Sequence, residues 1–477
     1  MDKYEKVIGL EVHVELSTKS KIFCGCSTEF GGIPNSKCCP VCMGMPGTLP
    51  VLNKIVLEYA IATGLATNCK IREYSRFDRK NYFYPDLPKS YQTSQLYLPI
   101  CYDGSLEIDL DGKKKAIGIH EIHMEDDAGK LIHDQDEAYS YIDYNRSGVP
   151  LIEIVTKPDM NSKEEVIAFL EKLQLILRYL GVSDCKMQEG SFRADINLSV
   201  RKKGQELGTR TEMKNINSFK AIERAIDYEA SRQIDLLKNG LSIIQETRRW
   251  NDSKGISESL RSKADAKDYR YFPDPDLPPF LVDKDWVRKI KERQPELRDE
   301  KVERYIKEFK LPEYDAKVIT SSKYLADIFE KTLALCKNPK ETSNWIMVET
   351  IRLIRDRQIQ VEEISFSPEN LAKLINLLDK GKINRTIAKE VFELIFDKDL
   401  DPEVYVKDNK LGMVDDENLV VKVISEVIED FPESVSDYRN GKDRAFKHLM
   451  GQIMKRMKGK ANPVLVNELL KEELNRD

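Results

Sequence analysis

Residues 10–16 read Leu-Glu-Val-His-Val-Glu-Leu. At the two-residue period of a strand, Leu10, Val12, Val14 and Leu16 share one face, and Glu11, His13 and Glu15 share the other. Two carboxylates and an imidazole in a row are the donor mix that captures a divalent cation. The bland alternative is a half-exposed strand with a charged outer face. Residues 123–130 (His-Met-Glu-Asp-Asp-Ala-Gly-Lys) set three consecutive acids, Glu125, Asp126 and Asp127, beside His123. Like charges so close repel unless a cation, a lysine or water screens them. A second alternating strand over 193–201 puts Ile196, Leu198 and Val200 on one face, and Arg193, Asp195, Asn197, Ser199 and Arg201 on the other. Arg210, Glu212 and Lys214 repeat the pattern. Strands with one apolar and one charged face predict a sheet whose open face is a working surface.

Cysteines form a separate constellation. Cys24-Gly-Cys26 is followed a short loop later by Cys39-Pro-Val-Cys42. Such spacing, with glycine and proline shaping the turns, suits a tetrahedral four-thiolate zinc site. A cluster of small buried thiols is the alternative. Cys38 is a competing ligand in principle, although adjacent residues seldom reach one metal together. A closed four-thiolate site is structural and leaves no open position for chemistry. Cys69, Cys101, Cys185 and Cys336 stand alone and are expected in cores.

The elements that must position these groups follow from patterning. At 477 residues the chain has room for two to four domains. Up to about residue 290 strands and helices mix, with Gly/Pro loops between them. Ser162-x-x-Glu165 is a capping box opening an apolar-periodic helix that ends before Gly181, and a second helix is expected from about 218 to 239. Two aromatic, proline-bearing loops echo each other, 80–88 and 269–278; they suit either stacking on a base or plugging a sheet edge. Beyond Pro279 amphipathic helices dominate. Ser367-Pro368 opens one and Gly381 closes it. The acidic stretch 397–416 reads as a hinge. The expected class is therefore α+β: a mixed or antiparallel sheet domain over 1–290, a helical domain over 291–405, and a small all-α tail over 406–477.

Charged residues make up 33% of the chain and the formal net charge is −5, so any nucleic-acid contact must be local. One local basic stripe exists. Arg444, Lys447, Lys455, Arg456, Lys458 and Lys460 lie in a stretch without acids, which suits phosphate contact or a solvated helix face. No apolar run is long enough for a membrane span. With no leader segment evident and nine cysteines, a reducing cytoplasm is expected. There is no P-loop, kinase loop set or G-x-G-x-x-G, and no arrangement of nucleophiles that would release ammonia from an amide.

Taken together these residues resemble the GatB family, the B subunits of bacterial tRNA-dependent amidotransferases. The resemblance is carried by 7–16, by 77–86 (Phe-Asp-Arg-Lys-Asn-Tyr-Phe-Tyr-Pro-Asp), by 123–130 and by 143–148 (Asp-Tyr-Asn-Arg-Ser-Gly). It continues through 190–197, 212–215 and 451–455 (Gly-Gln-Ile-Met-Lys), and so spans the full length. It implies a catalytic cradle, a helical domain and a tail similar to a small stand-alone family called YqeY. It also implies an ATP-dependent enzyme that phosphorylates the side-chain carboxylate of glutamate or aspartate mischarged on tRNA. Ammonia from a glutaminase partner (the A subunit), with a small third chain (the C subunit) bracing the pair, would then displace phosphate. The cofactors implied are ATP and Mg²⁺, with Mn²⁺ as an alternative cation, beside structural Zn²⁺. On this basis Glu11, His13, Glu125 and Glu212 are expected around one metal. Asp126, Asp127 and Asp195 would be second-line ligands or water-positioners, with Asp126, Asp127 and Arg210 on the nucleotide side. Lys80, Arg193, Asn197 and Lys214 would contact phosphate or carboxylate. Two rival functions remain: a zinc-bearing RNA-binding scaffold without activity, and a ligase that works alone on a small carboxylic acid.

Overall fold

The structure is a computed structural model and describes residues 3–133, 139–262, 268–413, 417–439, 441–457, 461 and 463–475. The alternation at residues 10–16 is realised in β1 (Tyr4–Glu15), where Leu10, Val12 and Val14 are fully buried. β1 lies at the centre of a nine-stranded sheet. The other strands in chain order are β2 (Lys70–Ile71), β3 (Cys101–Leu110), β4 (Lys113–Asp126), β5 (Pro150–Thr156), β6 (Phe192–Lys202), β7 (Thr211–Lys214), β8 (Glu246–Asn251) and β9 (Ile256–Ser262). Their spatial order is β9-β8-β7-β6-β1-β5-β4-β3-β2, and every pairing is antiparallel except β7–β8.

One face of this sheet is closed by helices. α1 (Lys54–Ala66), α2 (Lys163–Leu180) and α3 (Phe219–Lys238) share a single apolar cluster with Leu10, Val12, Val14, Ile154, Ile196 and Leu198. Burying each such side chain contributes about 1.5–3 kcal/mol, so the apolar stripe of β1 fixes which way its charged stripe must point. Both helix ends expected from sequence are found. Ser162 Oγ accepts from the Glu165 amide at 3.2 Å, and Gly181 closes α2 at φ +71°, a conformation that glycine enters without a Cβ penalty. Ser218 caps α3 in the same way.

A bulge decides the face of β4. Val155 pairs with Glu121 but Thr156 pairs with Ile119, so His120 is an extra residue on β4. Before it Ile117 and Ile119 are buried, and after it Ile122 and Met124 are. The bulge thereby turns Glu121, His123 and Glu125 onto the open face with Glu11 and His13. A three-stranded ribbon, in the order 272–273, 78–81, 91–94, brings both aromatic loops around its central strand. Pairing of Phe272 with Arg79 shows that the 269–278 loop serves as a sheet edge.

The chain divides into two compact units, Met1–Leu297 and Arg298–Asp477. The second unit is helical and holds two separate apolar clusters. One runs from Tyr305 to Val406 and the other from Val420 to Leu474. The stretch read as a hinge differs from that expectation, because Asp401 caps a helix, Pro402–Asp408, whose Val406 is buried in the first cluster. Proline at the first helical position is compatible with a helix start, which a reading of proline as a breaker overlooks. Residues 414–416 lie outside the described residues. Ser367 caps the helix Pro368–Asp379, and Gly381 follows it at φ +66°. Among the described residues no helix is long and apolar enough to cross a membrane.

Candidate active site and metal centres

Register explains how the open face is furnished. Glu11 lies opposite Asp195, and His13 lies opposite Arg193 on one side and Glu153 on the other; Glu153 in turn lies opposite His123. Two acidic groups result. In the first, the ligand atoms of His13, Glu125 and Glu153 lie within 4.8 Å of one another; in the second, those of Glu11, Asp195 and Glu212 do. The four residues expected around one cation are thus divided, His13 and Glu125 in one group and Glu11 and Glu212 in the other. The cause is the rise of a strand, about 3.3 Å per residue. It separates Glu11 from His13 by about 6.6 Å along β1, and each looks to its own cross-strand partner.

The first group is deeply set and strongly polarised. Glu125 is buried, and it accepts from Gln92 Nε2 at 2.8 Å and from Ser94 Oγ at 2.9 Å. His123 Nε2 stands 3.0 Å from Glu125 Oε1 and 3.3 Å from Glu153 Oε2, with Nδ1 3.3 Å from Glu121. Burial pulls the His123 imidazole toward neutrality, but the Glu153 charge and the carboxylates of Glu121 and Glu125 beside the ring outweigh it and raise its pKa well above the ordinary value. Burial likewise pushes Glu125 up, and the His123 hydrogen bond and charge, with Lys80 behind them, hold it far below the usual carboxylate range. Lys80 lies 5.3 Å from the Tyr269 ring and stays charged because Glu125 and Glu153 outweigh its burial.

In the second group Asn197 Nδ2 donates to Glu11 Oε1 at 2.9 Å, and Thr247 Oγ1 donates to Glu212 Oε2 at 2.8 Å. Lys214 Nζ bridges Asp195 at 2.5 Å and Glu212 at 2.8 Å. Burial, then the charge of Glu153, raises the Glu11 carboxyl, so the two groups sense each other. The remaining expected residues flank them. Asp127 takes Arg193 at 2.9 Å and Arg146 at 3.5 Å, while burial and Asp127 push Glu15 up to about 8. Asp126 is held by Lys89 and by the Thr93 amide. Arg210 is exposed, one residue before β7.

Sequence reasoning misses Glu153, the Glu125 partners Gln92 and Ser94, and the Asp126 partner Lys89. A signal does exist for Glu153: it is the single acid in the apolar run Leu151-Ile-Glu-Ile-Val155, and an acid there must meet a partner. Gln92 and Ser94 carry none, since polar residues on a short strand are ordinary.

The sulfur atoms of Cys24, Cys26, Cys39 and Cys42 also lie within 4.8 Å of one another. Tetrahedral zinc with bonds of about 2.3 Å needs sulfurs about 3.8 Å apart, and Cys42 Sγ is 4.0 Å from Cys39 Sγ. The donor set fits. Cys38 Sγ turns away to the Asn35 carbonyl at 3.1 Å. Of the solitary cysteines, Cys69, Cys101 and Cys185 are buried. On the tail helix Asp443–Arg456, Arg444, Lys447 and Lys455 are exposed and share one face at i, i+3, i+11 spacing. Arg456 instead pairs with Glu426 and Asp430. Lys458 and Lys460 lie outside the described residues.

A sheet domain with an acid-lined open face, followed by helices, is the class of protein defined here. Residues 6–288 match the GatB/GatE catalytic domain and residues 327–474 the GatB domain. The chain belongs to the GatB family and is one component of a multi-subunit enzyme. It is 65% identical, over the whole of both chains, to a protein of Lachnoclostridium phytofermentans named as the B subunit of an aspartyl/glutamyl-tRNA(Asn/Gln) amidotransferase. Proteins of the same name from Caldicellulosiruptor saccharolyticus and Thermoanaerobacter sp. are 60% and 55% identical, over 99% of this chain and all of each relative.

Proposed function

We propose that this chain is the ATP-consuming component of a tRNA-dependent amidotransferase in the cytoplasm. It would act on the side-chain carboxylate of glutamate or aspartate esterified to the glutamine or asparagine tRNA. The observation that carries this is the pair of acidic groups on one sheet face, each with a lysine beside it. A carboxylate resists ammonia because oxide cannot leave. In the proposed reaction a carboxylate oxygen attacks the γ-phosphorus of ATP, and ADP departs. Ammonia then attacks the acyl carbon, the C–O bond to phosphate breaks, and the nitrogen sheds a proton as the amide forms. Mg²⁺, or Mn²⁺ in its place, would offset charge on the phosphate oxygens, as phosphoryl transfer requires. His13, Glu125 and Glu153 would hold one cation, and Glu11, Asp195 and Glu212 the other. Lys80 and Lys214 sit where they can steady phosphate or carboxylate oxygens, and Asn197 orients Glu11. Arg193 is engaged by Asp127, so its part is to order that flank. Arg210 is exposed outside the sheet and suits a contact with the nucleotide.

The four cysteines would hold structural zinc, and the exposed basic face of the tail helix would contact tRNA phosphates. Ammonia would come from a glutaminase partner, with a small third chain to brace the pair. The decisive experiment is assay of the co-purified complex with ATP, glutamine and mischarged tRNA. Glu125→Gln is expected to abolish ADP formation and leave tRNA binding intact. ADP formation unchanged in that variant would favour a scaffold, and turnover without tRNA a free-standing ligase; either result overturns the proposal.

A further inference from the structure

Lys21 is fully buried, an unusual place for an ammonium group. Among the described residues its Nζ has two polar neighbours at hydrogen-bond range, Cys42 Sγ at 3.7 Å and the Tyr144 carbonyl at 3.4 Å. Among the described residues no carboxylate lies within 4.0 Å of it. Cys42 is the one buried member of the four-cysteine group. The backbone on both sides is arranged for this contact. The Lys21 amide bonds to the Cys26 carbonyl at 3.0 Å, and the Cys39 amide to Cys42 Sγ at 3.1 Å. The lysine stem runs past Gly148, where an added Cβ would stand 3.3 Å from Cys42 Cβ and 3.6 Å from Lys21 Cδ; φ there is +82°.

A buried ammonium needs an anion, and of its two partners only the sulfur can carry negative charge. Four thiolates around a divalent metal leave a net charge of −2, concentrated on the sulfurs. Lys21 stands against the sulfur least able to discharge into water. We propose that Lys21 is the built-in counter-cation of a four-thiolate metal centre, donating an N–H to Cys42 Sγ and tightening the hold on the metal. This rests on the metal reading of the cysteines given above. The contact also has a structural reach. Lys21, Cys24 and Cys42 line a cavity of about 250 Å³ together with Lys89, Thr93 and Asp126. Loading of the centre would therefore brace a cavity that Asp126, the residue next to Glu125, also lines.

The test uses the full chain. Zinc stoichiometry and cobalt absorption of the unaltered protein come first, and absence of a tetrathiolate cobalt spectrum overturns the metal reading and this inference with it. With that spectrum in hand, Lys21→Met and Lys21→Gln are compared for zinc affinity by chelator competition. Outer partners of metal ligands typically change affinity by about 10–100-fold. Lys21→Met is expected to fall in that range, with the sulfur-to-cobalt band moved to longer wavelength because the thiolate becomes more electron-rich. Lys21→Gln, which keeps a donor but no charge, should lie between. Unchanged affinity and an unchanged band in both variants overturn the proposal. A measurement on the unaltered chain covers variants that fail to fold. In the cadmium-loaded protein with isotopically labelled lysine, the Lys21 ammonium should exchange slowly with water, and exchange as fast as a surface lysine overturns the assignment.

Discussion

At the level of single residues, the site depends on where each carboxylate finds its partner. Glu153 joins His13 and His123 across three strands. Its removal should hurt as much as removal of Glu125, although no local motif marks it. Glu153→Gln is expected to weaken the divalent cation by at least ~10-fold, by analogy with groups around metal ligands, and to be read as a raised Mg²⁺ requirement for ADP formation. Lys214→Met should act differently. Lys214 is the cation between Asp195 and Glu212, so its loss leaves their repulsion to be met by metal alone. The expected result is lower kcat with Mg²⁺ affinity maintained or increased, and a fall in both would contradict this role. Residue types announce the chemistry. Their division between two groups is not legible in the sequence, because Glu11 and His13 look equivalent until the opposing strands are known.

Among the elements, α3 and the outer strands are joined by a buried network centred on Glu229. Its carboxylate accepts from Arg232 at 2.6 and 2.9 Å, from Thr211 at 2.9 Å, from Gln233 at 3.0 Å and from Ser257 at 3.0 Å. Thr211 is the residue before Glu212, so this network anchors the strand that carries a candidate ligand. Burial pushes the Glu229 carboxyl up, but hydrogen bonds from Arg232 and Gln233 bring it below its ordinary value. A depressed native pKa gives stability that is present above the unfolded value of about 4.3 and lost as pH falls through the native one. Chemical denaturation at pH 7 and near pH 4 is expected to show a smaller acid loss in Glu229→Gln than in the unaltered chain. Glu229→Ala, which takes from Arg232 its nearest carboxylate, should cost about 3–5 kcal/mol at pH 7. The ends of α2 and α3 are readable because caps are local chemistry. The neighbours of β1 are not, since they come from residues 150–156 and 192–202 and sequence distance hides such pairings.

For the whole molecule, the division between a sheet unit and a helical unit shows in the fading of alternation past Pro279. The tail has an apolar cluster of its own, Val420 to Leu474, and carries Arg444, Lys447 and Lys455 on one exposed face. Replacing all three with alanine is expected to weaken tRNA binding and to flatten its salt dependence. Each lost phosphate contact should lower the logarithmic slope by about 0.7–0.9. ATP turnover at saturating tRNA should persist. A salt slope identical to that of the unaltered complex would remove the tail from the RNA interface. The first part of the expected hinge is helical for a physical reason: acidic composition and a proline read as linker, while Asp401 followed by Pro402 is a helix start.

His120 has a consequence for how the enzyme tolerates change in length. It sets the parity of β4, with odd positions chemical after it and odd positions structural before it. A residue gained or lost in the turn between β3 and β4 alters only the distal half of that strand, where the hairpin can re-pair. The same change between 120 and 125 would exchange the two faces, driving carboxylates among the helices and isoleucine into the cleft. Length variation along this arm is thus free at its tip and forbidden at its root.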